Sequence, residues 1–146
     1  MCGFFSFTNG QQFEGKISFT DSTLKSQVDS IKKGMSSHGF VVVKEAKIRM
    51  ESGYEMPVIV PLTEGTFYDF VFIGDSSSKL YEVRMFDYND KQVVYEKHTR
   101  EGVESNVINF SYTPQLTEYH IIKPVQVNKK KKENLAGYII MFKKLK

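Results

Sequence analysis

The chain has 146 residues, of which 40% are hydrophobic and 25% charged, so it is long enough to bury a core without metal or disulfides and too apolar to stay disordered. Its single cysteine, Cys2, excludes an internal disulfide framework and any multi-cysteine zinc site, and no run approaches the 18 apolar residues of a membrane helix. The net charge of +3 is uneven: positions 129 to 146 hold seven lysines against Glu133, a balance of +6, which leaves the rest of the chain at −3.

Met1 to Phe7 is short and apolar and is followed by Thr8-Asn9-Gly10-Gln11-Gln12. A full signal peptide needs a basic start and a longer apolar stretch. Two readings stay open: the stump of an export signal with a mature chain starting near Gln11, or a loosely structured start or first edge strand. Asp21 to Ser37 is the one convincing helix. Leu24, Val28, Ile31 and Met35 recur at helical spacing on one narrow face, Asp21 or Ser22 can cap the start, and Gly39 is a natural stop.

From Phe40 onward the period changes to two. Phe40 to Glu51 opens with valines and then sets Ala46, Ile48 and Met50 against Lys47, Arg49 and Glu51. The prolines of Met56 to Leu62 predict an edge strand or an extended connection, and the nearly continuous apolar run Phe67 to Ile73 predicts a central strand covered on both faces. Leu80 to Tyr88 and Lys91 to His98 form a hairpin joined at Asn89-Asp90. Asn106 to Thr113 and Leu116 to Lys123 follow, Pro124 is expected to break the chain before Val125 to Asn128, and Gly137 to Lys143 closes the fold. About eight short strands with no helix between them predict a single all-β domain. It is an antiparallel β-sandwich, jelly-roll-like, with the N-terminal amphipathic helix packed on it.

Three sets of residues are candidate sites. Asp75, Asp87, Asn89 and Asp90 lie in two loops that could meet at one end of a sandwich and there offer the oxygen ligands calcium requires, although Asn-Asp and Asp-Ser-Ser-Ser are also ordinary turn chemistry. Lys129, Lys130, Lys131 and Lys132 repel one another, so they should project from a hairpin tip, where they suit an anionic surface or an acidic protein partner. With three arginines in the whole chain, nucleic acid is a poor match. Tyr54, Tyr68 and Tyr88 are candidates for the rim of a glycan site.

The three histidines show no metal-ligand spacing, and no nucleophile or phosphate-loop motif is present. The expectation is a non-catalytic binding or accessory domain with no cofactor, a calcium ion at those loops being the alternative. Its partner would be a protein or an anionic surface; a carbohydrate-binding or calcium-dependent module is the alternative. A small hydrolase would need dispersed histidines and acids to converge. Neither the ligand nor the oligomeric state follows from the residues.

Several motifs between Gly65 and Lys143 together resemble a bacterial β-sandwich family, the pre-peptidase C-terminal type of domain. They are Phe70-Val71-Phe72-Ile73-Gly74-Asp75, the strand and turn Val83 to Asp90, Ile108 to Pro114 with Glu118-Tyr119-His120-Ile121, and Gly137-Tyr138-Ile139-Ile140. Thr117-Glu118 stands where that family has a Gly before its Tyr strand, and the lysine loop and helix lie outside the resemblance. The resemblance implies the sandwich fold and an exported setting, periplasmic, cell-envelope or secreted, rather than the cytoplasm.

Overall fold

Alternation in the sequence becomes two-faced strands. The computed structural model describes residues 19–99 and 105–145. Helix α1 (Phe19–Ser36) precedes eight strands: β1 (Phe40–Met50), β2 (Val58–Leu62), β3 (Tyr68–Gly74), β4 (Leu80–Phe86), β5 (Gln92–Thr99), β6 (Val107–Tyr112), β7 (Glu118–Val127) and β8 (Leu135–Lys144). They form two four-stranded sheets, ordered β1-β8-β3-β6 and β2-β7-β4-β5, with every pair antiparallel. Only β4 and β5 are joined as a hairpin within one sheet; every other connection crosses to the opposite sheet. The result is a jelly-roll sandwich, as the strand count and spacing predict.

The interior is built from every second residue. On β4, Tyr81, Val83 and Met85 are fully buried, while Leu80, Glu82, Arg84 and Phe86 face outward and are half-buried. Inward-facing Met50, Leu62, Phe70, Phe72, Ile108, Ile122 and Leu135 join them in one core. Each such side chain contributes about 1.5–3 kcal/mol by leaving water. The prediction of a central strand covered on both faces holds: every residue of β3 is buried, between β8 and β6. The proline-bearing β2 is an edge strand as expected.

Pro124 does not break the chain; β7 runs unbroken through it, with Pro124 opposite Val83 of β4. Its carbonyl accepts from the Met56 amide, on the side facing β2. A strand residue turns its amide and carbonyl to the same side. The missing N–H therefore faces a stretch where β2 no longer pairs, since that ladder ends at Val58 opposite Ile122, and no bond to β4 is lost.

The predicted apolar stripe of α1 lies on the outer face of the first sheet. Leu24 and Val28 are buried against Val71, Ile73, Ile140 and Phe142, with Ile31 and Met35 completing the contact. The Gln27 and Asn106 side-chain amides bond reciprocally at 3.1 and 3.2 Å, and Lys32 pairs with Glu45 at 2.7 Å. The helix ends where Gly39 takes a φ of 84°, a left-handed conformation that glycine adopts without strain. One outer face is thus covered. No described element packs on the outer face of the second sheet.

Candidate functional site

The open face of the second sheet combines exposed rings with fixed polar groups. Tyr95 on β5, Arg84 on β4 and Lys123 on β7 stand side by side across three strands. The next row toward the β4–β5 turn is apolar: Phe86, Ile121 and Ile59 face one another across β4, β7 and β2. Beyond it Tyr119 lies opposite Pro61, and Tyr88 sits in the adjoining turn. Tyr95, Ile59, Tyr119 and Tyr88 are 45, 57, 58 and 73% exposed, so the face offers rings and aliphatic groups to solvent.

The polar groups at its centre are held in place. The Tyr95 hydroxyl donates to the Glu82 carboxylate at 2.7 Å, and this bond, with some burial and the nearby Glu82 charge, raises the Tyr95 pKa. The Arg84 guanidinium carbon lies 5.4 Å from the centre of the Tyr95 ring, a cation–π arrangement. Its Nη2 is 3.6 Å from the other Glu82 oxygen, too far for a hydrogen bond, and its buried Nε has no acceptor. The Lys123 ammonium rests 4.7 Å over the Phe86 ring.

The residues singled out from sequence fare differently. Tyr68 is not a rim residue: it is 4% exposed, lies in the core, and its hydroxyl accepts from the Thr63 amide at 2.8 Å. Tyr54 and Tyr88 are exposed but lie in the β1–β2 and β4–β5 connections, at opposite ends of the sandwich.

The expected meeting of the acidic loops does not occur. Asp75 precedes β4 and Asp87, Asn89 and Asp90 follow it, so a seven-residue strand of about 23 Å separates them. Each cluster is also engaged in its own turn. Asp75 accepts from the Ser77 amide and hydroxyl and from the Ala136 amide. Burial alone would raise its pKa; those bonds and the Lys132 charge outweigh it and lower the value. Asp87 accepts from the Asn89 and Lys91 amides, and Asp90 takes a φ of 67° in the same turn. Among the described residues no three His, Cys, Asp or Glu side chains are placed to hold a metal.

The four lysines are exposed as expected, although not on a hairpin tip. Their loop arches over the end of the sandwich, from β7 in one sheet to β8 in the other. It is shaped by Asn128, whose side chain accepts from the Lys130 amide at 2.8 Å and donates to Ser77, while the Lys132 carbonyl accepts from Ser52. Gln126 anchors the same end, accepting from the Asp75 amide and the Ser78 hydroxyl and donating to the Ala136 carbonyl. The histidines are scattered: His38 follows the helix, His98 lies on the edge strand β5, and His120 is buried beside Tyr112. Cys2 lies outside the described residues.

Tyr95, Tyr119, Glu82, Arg84 and Lys123 were not singled out from sequence. The alternation Tyr81-Glu82-Val83-Arg84-Met85 does place Glu82 and Arg84 on one face. Which outer face the helix leaves bare depends on tertiary packing and has no local signal.

No family model matches the chain, and no curated protein matches it. Solved structures that are similar include CorA, a surface-associated copper-binding protein of Methylomicrobium album BG8, with 7% identity over 66% of this chain and 92% of that one and a TM-score of 0.47. The P-domain of Penaeus vannamei nodavirus gives 14% identity over 69% and 96% of the two chains, with a TM-score of 0.39. A CBM4 structure gives 14% identity over 73% and 79%, with a TM-score of 0.42. The fold is that of a β-sandwich, and no helix of the described residues is long and apolar enough to cross a membrane.

Proposed function

We propose that this is a non-catalytic carbohydrate-binding domain of the exported or cell-envelope kind, taking a glycan chain across the open face of the second sheet. The observation that carries the reading is the adjacency of exposed Tyr95 to the hydrogen-bonded Glu82 and the Arg84 guanidinium, with Tyr119 and Tyr88 further along the face. Sugar rings present C–H faces that rest on aromatic rings, and hydroxyls that need fixed donors and acceptors beside them. Fold alone would not assign this role; the exposed rings and fixed polar groups of the face are what support it.

Affinity electrophoresis in gels containing β-glucan, xylan, galactan or polygalacturonate tests the reading. At least one polymer should retard the protein, and Tyr95→Ala and Tyr119→Ala should abolish the retardation without lowering Tm by more than a few degrees. Retardation by none of them, or equal retardation of the variants, rejects it.

A second reading rests on the exposed Lys129–Lys132 loop, which suits an anionic surface or an acidic protein partner. Replacing all four lysines with Ser should abolish adsorption to anionic vesicles, and 0.5 M salt should do the same to the unaltered protein. Adsorption that survives both treatments removes the loop from consideration.

A further inference from the structure

We infer that the glycan is acidic, and that a uronate carboxylate is received between Arg84 and Lys123; this rests on the carbohydrate reading above. The two residues are directly opposite in the β4–β7 ladder. Residues so placed have Cβ atoms about 5 Å apart, and like charges in that position weaken a sheet. Among the described residues Glu82 is the carboxylate that contacts Arg84, and it is already committed: one oxygen takes the Tyr95 hydroxyl at 2.7 Å, and the other stays 3.6 Å from the guanidinium. Lys123 has an aromatic ring beneath its ammonium and no ion pair among the described residues. Lys97 also lies directly opposite Glu82, so the described residues here bring three cations, Arg84, Lys97 and Lys123, against one partly used anion.

The guanidinium is also short of acceptors. Its Nε is out of solvent and unpartnered, and a buried donor left in that state is destabilising. A planar carboxylate is the acceptor whose two oxygens match the guanidinium fork, and a second cation at its flank adds a charge-assisted bond. The outer nitrogens of Arg84 meet the arriving carboxylate first; Nε becomes usable as the head group moves off the Tyr95 ring. A hexuronate ring has the right shape, with a C–H face for Tyr95 and a carboxylate projecting from the ring edge toward Arg84. An acidic peptide would satisfy the cations without needing the tyrosine, which favours the sugar.

The test measures binding of the full chain, Arg84→Met and Lys123→Met to polygalacturonate, to the same polymer fully methyl-esterified, and to poly-L-glutamate. Polygalacturonate should bind, each substitution should weaken it about tenfold, and esterification should weaken it at least as much. Lys123 is half-buried on the outer face and opposes a like charge, so Lys123→Met should have a Tm no lower than wild type even if Arg84→Met does not. Equal binding of free and esterified polymer, unaffected by Lys123→Met, would overturn the inference and leave the carbohydrate reading standing. Poly-L-glutamate bound as tightly as polygalacturonate, with Tyr95→Ala without effect, would overturn it in favour of an acidic peptide. Failure of every polysaccharide would remove the reading on which it rests.

Discussion

Tyr95 and Glu82 form a hydrogen bond across the outer two strands of the second sheet, with the phenol donating to the carboxylate at 2.7 Å. The bond favours the protonated phenol, and the Glu82 charge opposes its loss. Tyr95 should therefore ionise at a higher pH than a free tyrosine. Glu82→Gln should bring its titration midpoint down toward the ordinary range, read from the Tyr95 ring carbon by NMR. A midpoint that does not move would mean that the pair does not persist in solution.

Asp69 gives a stability prediction of opposite sense to most carboxylates. It is 5% exposed, and burial raises its pKa although Asn109 and Ser111 donate to it at 2.6 and 3.1 Å. The folded state thus holds this proton more tightly than the unfolded chain does. Its contribution is intact below the ordinary aspartate range and is lost as pH rises through the raised folded value. Asp69→Asn, which cannot ionise, should compare most favourably with wild type near pH 7, and the Tm advantage should shrink on acidification toward pH 3.5. An advantage that grows on acidification would contradict the assignment.

Two glycines should respond in opposite directions to alanine. A Cβ on Gly74 would lie 2.5 Å from the buried Tyr81 ring and 3.2 Å from Gln126 Oε1, so Gly74→Ala should destabilise by about 1–3 kcal/mol. Gly34 lies in α1 with nothing within 4 Å of its added Cβ. Gly34→Ala should stabilise by about 0.5–1 kcal/mol. Urea denaturation of the two variants beside wild type checks both signs at once.

Calcium should leave the protein unmoved. Asp75 and Asp87 are at opposite ends of β4; Asp75 accepts from Ser77 in its turn and from Ala136 on β8, and Asp87 accepts from two amides of its own turn. Tm in 5 mM calcium and in chelator should agree to within about 1 °C. A rise of several degrees would show that one of these turns opens to bind the ion.

Much of the architecture was readable because its signals are local. The helical spacing of Leu24, Val28, Ile31 and Met35, the apolar run of β3 and the prolines of β2 each correspond to one physical constraint, and each element formed where that constraint placed it. Pro124 misled because its effect depends on which side of β7 still has a neighbour, a fact set by the length of a distant strand. The acidic loops misled for a related reason: whether two turns share an end depends on the direction of the strand between them. The binding face was least legible. Its residues come from three strands, and ordinary alternation looks the same whether the outward positions meet water, a helix or a ligand.

The helix gives the sandwich a back and a front. A bare jelly roll has two flat outer sides and can stack into columns, each copy pressing on the next. Here α1 occupies one side with its apolar stripe already spent, and it turns charged residues such as Lys25 and Asp29 to solvent. A pile built through the uncovered face alone ends at two molecules, so association by that route should level off in light scattering at twice the monomer mass.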